Sequence, residues 1–276
     1  MVNMGNVWDR TTEFLSDNAA ALWPIAALAV FVPQSVAALI GGAANGGIAP
    51  IVVAATALVC ALVSIWGQLA ITALAIDPEA GRDRAIAAAS ANYLRAILAM
   101  LVLLVGLALL SLPIGATLAA SGIDIGALRR GDQAALSSLS GGAAAFVAIY
   151  AIALAVVALI VTVRVTLLLY PVVVAEKLGV GALRRAFMLS NGMAWKMFGV
   201  WLLFVIVYLV ASAAVKSAIG GVLGLFLGNT QPFGLVAIVV ALLSGLVTMA
   251  YVLVTASFFA KLYRAATKAR DGAAKA

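Results

Sequence analysis

Histidine is absent from this chain of 276 residues, cysteine occurs once, and charged residues make up only 10% of it. Each shortage removes a class of chemistry. Without histidine there is no imidazole to ligate a metal or to act as general base for a serine or cysteine nucleophile. The single thiol, Cys60, lies inside an apolar run, which excludes a disulfide framework or a cysteine metal cluster within the chain. No Asp or Glu falls within any of the apolar spans delimited below, lysines sit only at span edges, no G-x-x-x-x-G-K-[ST] loop occurs, and no G-x-G-x-x-G follows a strand pattern. The expectation is therefore a protein that is not an enzyme, with no catalytic residue, no metal and no cofactor.

What is abundant is apolar surface. Hydrophobic residues reach 66% and the mean hydropathy is +1.19, against roughly 45–50% apolar and 25% charged residues in soluble domains. An integral membrane protein is implied. The length suits one membrane domain over 1–276, with about six crossings of roughly 20 residues each and no room in these residues for a soluble catalytic domain. The net charge of +7 does not point to nucleic acid, which demands a charge-dense solvated face. Anionic lipid headgroups are the expected counter-charge, and no protein partner is indicated.

The expected fold class is all-α, a polytopic transmembrane bundle with short interfacial helices in its connectors. Acidic Asp9, Glu13 and Asp17 precede an apolar stretch too long for a signal-peptide core. Residues 6–17 therefore read as an interfacial lead-in, with Trp8 as a headgroup-level anchor. Positions 19–76 carry no charge, and at about 1.5 Å per residue they far exceed one crossing. The glycines and proline of GGAANGGIAP, 41–50, supply the break. The resulting spans are 20–40, 51–75, 93–119, 143–170, 197–216 and 234–260. Asp77-Pro78-Glu79 resembles an N-cap, a first-turn proline and a first-turn acid, so a separate interfacial helix is expected before the third span. SGIDIGALRRGDQ forms a polar loop before the fourth span.

Lysine and arginine are retained on the cytoplasmic side of a membrane. Six crossings place 14 of the 17 on the face that carries both ends of the chain, and leave Arg129, Arg130 and Lys216 on the other. An inner-membrane protein with both termini in the cytoplasm follows as an expectation. It explains why the 177–196 connector is dense in charge. Within it, 180–191 reads as an amphipathic helix with Leu183, Ala186, Phe187 and Ser190 on one side. Arg84, Arg95, Arg184, Arg185 and Lys196 are the candidate contacts for anionic lipid or a partner. Arg164 and Gln68 are the candidate intramembrane polar groups. Arg164 is placed to snorkel to the membrane edge, with Glu176 as a partner if the chain folds back. Gln68 and Gln34 are placed for interhelical hydrogen bonds.

Two weaker patterns remain. Residues 84–104 align without gaps on 185–205, with Arg84/Arg185, Ala85/Ala186 and Leu101/Leu202 identical and Arg95 opposite Lys196. A parallel internal repeat is implied. Gly220, Gly224 and Gly228 would permit close helix packing if 217–233 is helical, or else that segment is re-entrant or lies on the surface.

NAAALWPIAALAVFVP (18–33) and, more fully, RVTLLLYPVVVAEKLGVGALRRAFMLSNGMAWKMFGVWLLF (164–204) resemble the membrane domain associated with glycerophosphoryl diester phosphodiesterases and the related YciC-type inner-membrane proteins. The shared features are an arginine, Pro171, Glu176, a small-residue hinge, Arg185 with Ser190, then Gly192 and Trp195 opening the next helix. The resemblance implies the membrane part alone, because a phosphodiesterase barrel needs catalytic histidines. Together the residues and the resemblance imply a non-catalytic accessory or scaffold in envelope or lipid homeostasis. The alternative is a channel or transporter for a small or lipidic substrate, which would need a polar-lined cavity at mid-membrane depth reaching Arg164 or Gln68.

Overall fold

A computed structural model describes residues 3–43, 48–123, 139–227 and 233–274. Among these the chain is all-α: α1 (Met4–Asp17), α2 (Ala19–Gly42), α3 (Pro50–Ile76), α4 (Gly81–Ala120), α5 (Gly141–Glu176), α6 (Gly181–Leu189), α7 (Ala194–Phe226) and α8 (Leu235–Ala274). Six of them, all but α1 and α6, are long and apolar enough to cross a bilayer. The protein is thus a multi-pass membrane bundle. Residues 44–47 of the first glycine-rich break, and 124–133 of the polar loop with Arg129 and Arg130, lie outside the described residues.

At the centre α2, α3 and α8 pack together, α4 lies along α3, and the C-terminal half of α5 packs on α3 and α8. Leu69, Ile71, Leu74, Leu168, Leu169, Val172, Phe258 and Leu262 fill this core and are essentially fully buried. Small residues set the spacing. A Cβ built on Gly67 of α3 would lie 2.6 Å from the Ala29 Cβ of α2, and one on Gly245 of α8 would collide with the Ser35 hydroxyl. Between those contacts α2 widens into a π-turn over Ala27–Phe31. Pro33 has no N–H to give to the Ala29 carbonyl, and π-turns commonly accompany such a break in the ladder. In α5 the π-turn Thr162–Thr166 likewise precedes Pro171.

Both ends of the chain, the α3–α4 turn and the α5–α7 connector gather on one face. Phe14 of α1 packs under Lys261, Arg264 donates to the Ile76 carbonyl, and Arg270 donates to the Met188 carbonyl. This is the face with most of the cations, called here the basic face. Towards the far face the bundle opens. No residue of α5 from Gly141 to Val161 is buried, α4 buries none beyond Ala99, and α7 from Ala194 to Ala213 buries only Met197. Apolar side chains such as Leu109, Ile149, Ile152 and Leu209 stand outward there, as expected where hydrocarbon rather than protein is the neighbour.

Several boundaries differ from the sequence expectation. No separate interfacial helix precedes the third span: after a 3-10 turn at Pro78–Ala80, α4 runs unbroken from Gly81. Residues 82–99 contain neither glycine nor proline, and Asn92 spends its amide on the Ala88 carbonyl of its own helix, so nothing interrupts the ladder. Asp77 makes no side-chain cap. In the aligned segment 185–205 the counterpart of Ala91 of α4 is Gly192, whose φ of 83° lies in the turn that separates α6 from α7. The burial register of the repeat nevertheless persists: Ala85, Ala89, Asn92 and Ala96 are buried, as are their counterparts Ala186, Ser190, Met193 and Met197. The two aligned segments present the same edge to the core while only 185–205 is broken. Residues 217–226 continue α7 as helix, and of its glycines Gly220 meets Val240 of α8 while Gly224 faces open space. Gly228 lies outside the described residues.

Candidate functional site

The α5–α7 connector is shaped by ion pairing. Lys177 adopts the left-handed conformation (φ 54°, ψ 29°) that ends α5 and turns the chain back. Nine residues after Glu176, Arg185 then returns beside it. The Arg185 Nε lies 2.9 Å from both Glu176 carboxylate oxygens, and the Tyr263 hydroxyl donates to Oε1 at 2.9 Å. One carboxylate therefore ties α5, α6 and α8 together. α6 is not a free amphipathic helix on a membrane surface: Ala182, Ala186, Leu189 and Ser190 are buried against the bundle. Phe187, expected on that side, is exposed, because it turns to lie beneath Arg164.

Arg164 does not pair with Glu176. Its guanidinium donates to the Asn191 side-chain oxygen at 3.1 Å and stands 4.8 Å from the Phe187 ring centre. The back-folded α6 brings Arg185 to Glu176 first, which leaves Arg164 to the α6–α7 turn. Gln34 of α2 donates to Ser64 of α3 at 3.1 Å, the interhelical bond expected of it. Gln68 is half-buried and makes no side-chain hydrogen bond among the described residues.

Of the five candidate headgroup contacts, Arg185 is neutralised by Glu176, and Arg95 is exposed but donates to Asn92 at 2.7 Å. Arg84, Arg184 and Lys196 are exposed, with no carboxylate within 4.0 Å among the described residues. Trp195, beside Lys196, is 82% exposed, the placement typical of an aromatic anchor at the headgroup level. These side chains do not converge on one point.

A second cationic group does converge. The amphipathic α1 buries Val7, Thr11 and Phe14 against α8, and beside that seam lies a cavity of about 680 Å³ lined by Arg10, Glu13, Asp17, Lys261, Arg264 and Lys268, with Phe14 and Pro78 as its apolar walls. The Lys261 ammonium stands 4.5 Å from the Phe14 ring centre. Arg264 spends one arm on the Ile76 carbonyl at 2.6 Å. Lys261, Arg264 and Lys268 recur at intervals of three and four, one face of a helix, but nothing local shows that α1 closes over that face. An apolar groove of about 390 Å³ runs along α7 and α8 on the other flank of α1, lined by Trp8, Phe204, Val207, Tyr208, Tyr251 and Val254 among others.

No family model matches the chain, and neither a curated protein nor a solved structure does.

Proposed function

We propose that this is a non-catalytic inner-membrane protein, an accessory or scaffold in envelope or lipid homeostasis, whose basic face lies in the cytoplasm and gathers anionic lipid. The observation that carries the reading is a basic face with unpaired cations, Arg84, Arg184 and Lys196, around a core packed with apolar side chains. Charges held there attract an anionic leaflet by about 1 kcal/mol each. Transport is less well supported: Arg164 is engaged by Asn191 and Phe187, and the core beside Gln68 is filled by Leu69, Ile71 and their neighbours rather than opened as a polar path. The proposed kinship with the phosphodiesterase-associated membrane domain concerns architecture only and rests on residues 18–33 and 164–204.

The test is lipid composition around the purified protein. Extraction in native lipid should enrich anionic over zwitterionic lipid relative to the bulk membrane. Replacing Arg84, Arg184 and Lys196 together with glutamine should cut that enrichment by roughly half or more, since up to 3 kcal/mol of screened attraction is removed in total. An unchanged lipid profile in the triple variant rules the headgroup role out.

A further inference from the structure

The rim cations attract a leaflet without defining a site, whereas the α1–α8 cavity has the walls, the charge and the position of one. We infer that this cavity binds a phosphate-bearing anion, held by Arg10, Lys261 and Lys268, with Arg264 fixing the wall. The inference deepens the lipid reading above and rests on it for the source of the ligand, while the cavity chemistry stands on its own geometry.

Three observations lead there. First, the four cations of the cavity have no carboxylate within 4.0 Å among the described residues, although Glu13 and Asp17 line the same space. Opposite charges that share a cavity without pairing leave room between them for a guest. Second, Lys261 is half-buried against the face of Phe14, and the repulsion of Arg264 and Arg10 acts on it beside the attraction of Glu13, which forms no ion pair with it. A quadrupole at 4.5 Å compensates a half-desolvated ammonium only in part. An oxyanion would complete its neutralisation with charge-assisted hydrogen bonds. Third, Arg264 is already anchored to the Ile76 carbonyl, which ends α3, so one wall is rigid before any ligand arrives. The volume accommodates a phosphate together with a small polar substituent. Glu13 and Asp17 then accept hydrogen bonds from hydroxyl or ammonium donors on that substituent and disfavour a second phosphate.

The shared chemistry is a phosphoryl group, supplied either by an anionic phospholipid headgroup or by a free phosphate. Amphipathic α1 places the cavity at the membrane edge, where both are available. The two sources separate experimentally. Detergent-purified full-length protein is titrated with a phosphatidic acid, with a zwitterionic phosphatidylcholine and with inorganic phosphate. Adducts are counted by native mass spectrometry, and phosphate binding is followed by calorimetry. The variants are Arg10→Gln/Lys268→Gln, both exposed and free of structural hydrogen bonds to other elements, and the rim triple at 84, 184 and 196.

Wild-type protein is expected to hold one saturable phosphatidic acid that phosphatidylcholine does not displace. The Arg10/Lys268 variant should lose roughly tenfold or more in affinity, and the rim triple should retain it. Displacement of that lipid by inorganic phosphate, or phosphate binding with the same variant dependence, assigns the site to free phosphate and still supports the phosphoryl assignment. Equal affinity in wild type and in the Arg10/Lys268 variant overturns the site. If the rim triple alone loses the lipid, the cavity assignment fails while the broader headgroup reading survives. If anionic lipid binds no better than zwitterionic lipid to any form and inorganic phosphate shows no variant-dependent binding, both fail. Circular dichroism of each variant, expected to match wild type, keeps a folding defect from imitating a lost site.

Discussion

Gly67→Ala is expected to cost about 1–3 kcal/mol, and Gly67→Leu to leave little folded protein to recover. The added carbon falls 2.6 Å from the Ala29 Cβ and 3.1 Å from the Ala29 carbonyl oxygen. Neither atom is the end of a flexible side chain, so α2 must move off α3. That displacement spreads, because the same π-turn of α2 is gripped on its other side by Gly245 of α8, whose position meets the Phe31 carbonyl oxygen at 3.2 Å. Inside a membrane, where lipid tails are as apolar as any side chain, such close contacts supply much of what holds helices together. Thermal unfolding in detergent reads the loss. Ala29→Gly introduced into Gly67→Ala should recover part of it by removing the nearer of the two clashing atoms. A Gly67→Ala protein as stable as wild type would mean that α2 and α3 do not cross there.

Glu176→Gln should produce the next largest effect, a loss of about 1–2 kcal/mol. The charge-assisted bond that the Arg185 Nε–H shares between both carboxylate oxygens weakens, a bond worth more than a neutral one, and the arginine stays beside the bundle without its counter-charge. The value is held below that of a fully buried pair because the two side chains remain 36% and 24% exposed and water screens them. It exceeds that of an ordinary surface pair because the Tyr263 hydroxyl shares the same carboxylate. Glu176→Gln combined with Arg185→Gln should therefore fall well short of the sum of the two single losses. Proteolysis should meanwhile quicken in 177–193, the segment this pair pins down. Strict additivity would show that the pair carries no coupling.

Which parts of this protein could be read from its sequence follows from what each part depends on. The spans were legible because every residue facing hydrocarbon must be apolar, and this requirement acts on each segment separately. The basic face was legible for a similar reason, since it is a tally of cations along the chain. The α3–α4 turn was only half legible: Asp77-Pro78 marks the boundary, but the unbroken run of α4 depends on the missing glycine at position 91, a contrast that needs Gly192 beside it to be noticed. Pairings across the fold were not legible. Glu176 had Arg164, Arg184 and Arg185 within reach along the chain, and the left-handed turn at Lys177 decides in favour of Arg185. The cavity on α1 and α8 joins residues from opposite ends of the chain, so no window of sequence contains it.

Labelling of single cysteines tests most directly whether the six helices cross the bilayer with the basic face in the cytoplasm, as proposed. Lys196 opens α7 at the basic face and Lys216 lies exposed 20 residues further along the same helix, about 30 Å at 1.5 Å per residue, the thickness of a hydrocarbon core. In a Cys60→Ala background, Lys177→Cys and Lys216→Cys are treated in intact cells with a maleimide that cannot cross the membrane. Position 216 should label at once, and position 177 only after the membrane is opened. Labelling of position 177 from outside, with 216 protected, would contradict the orientation and the roles assigned to the basic face.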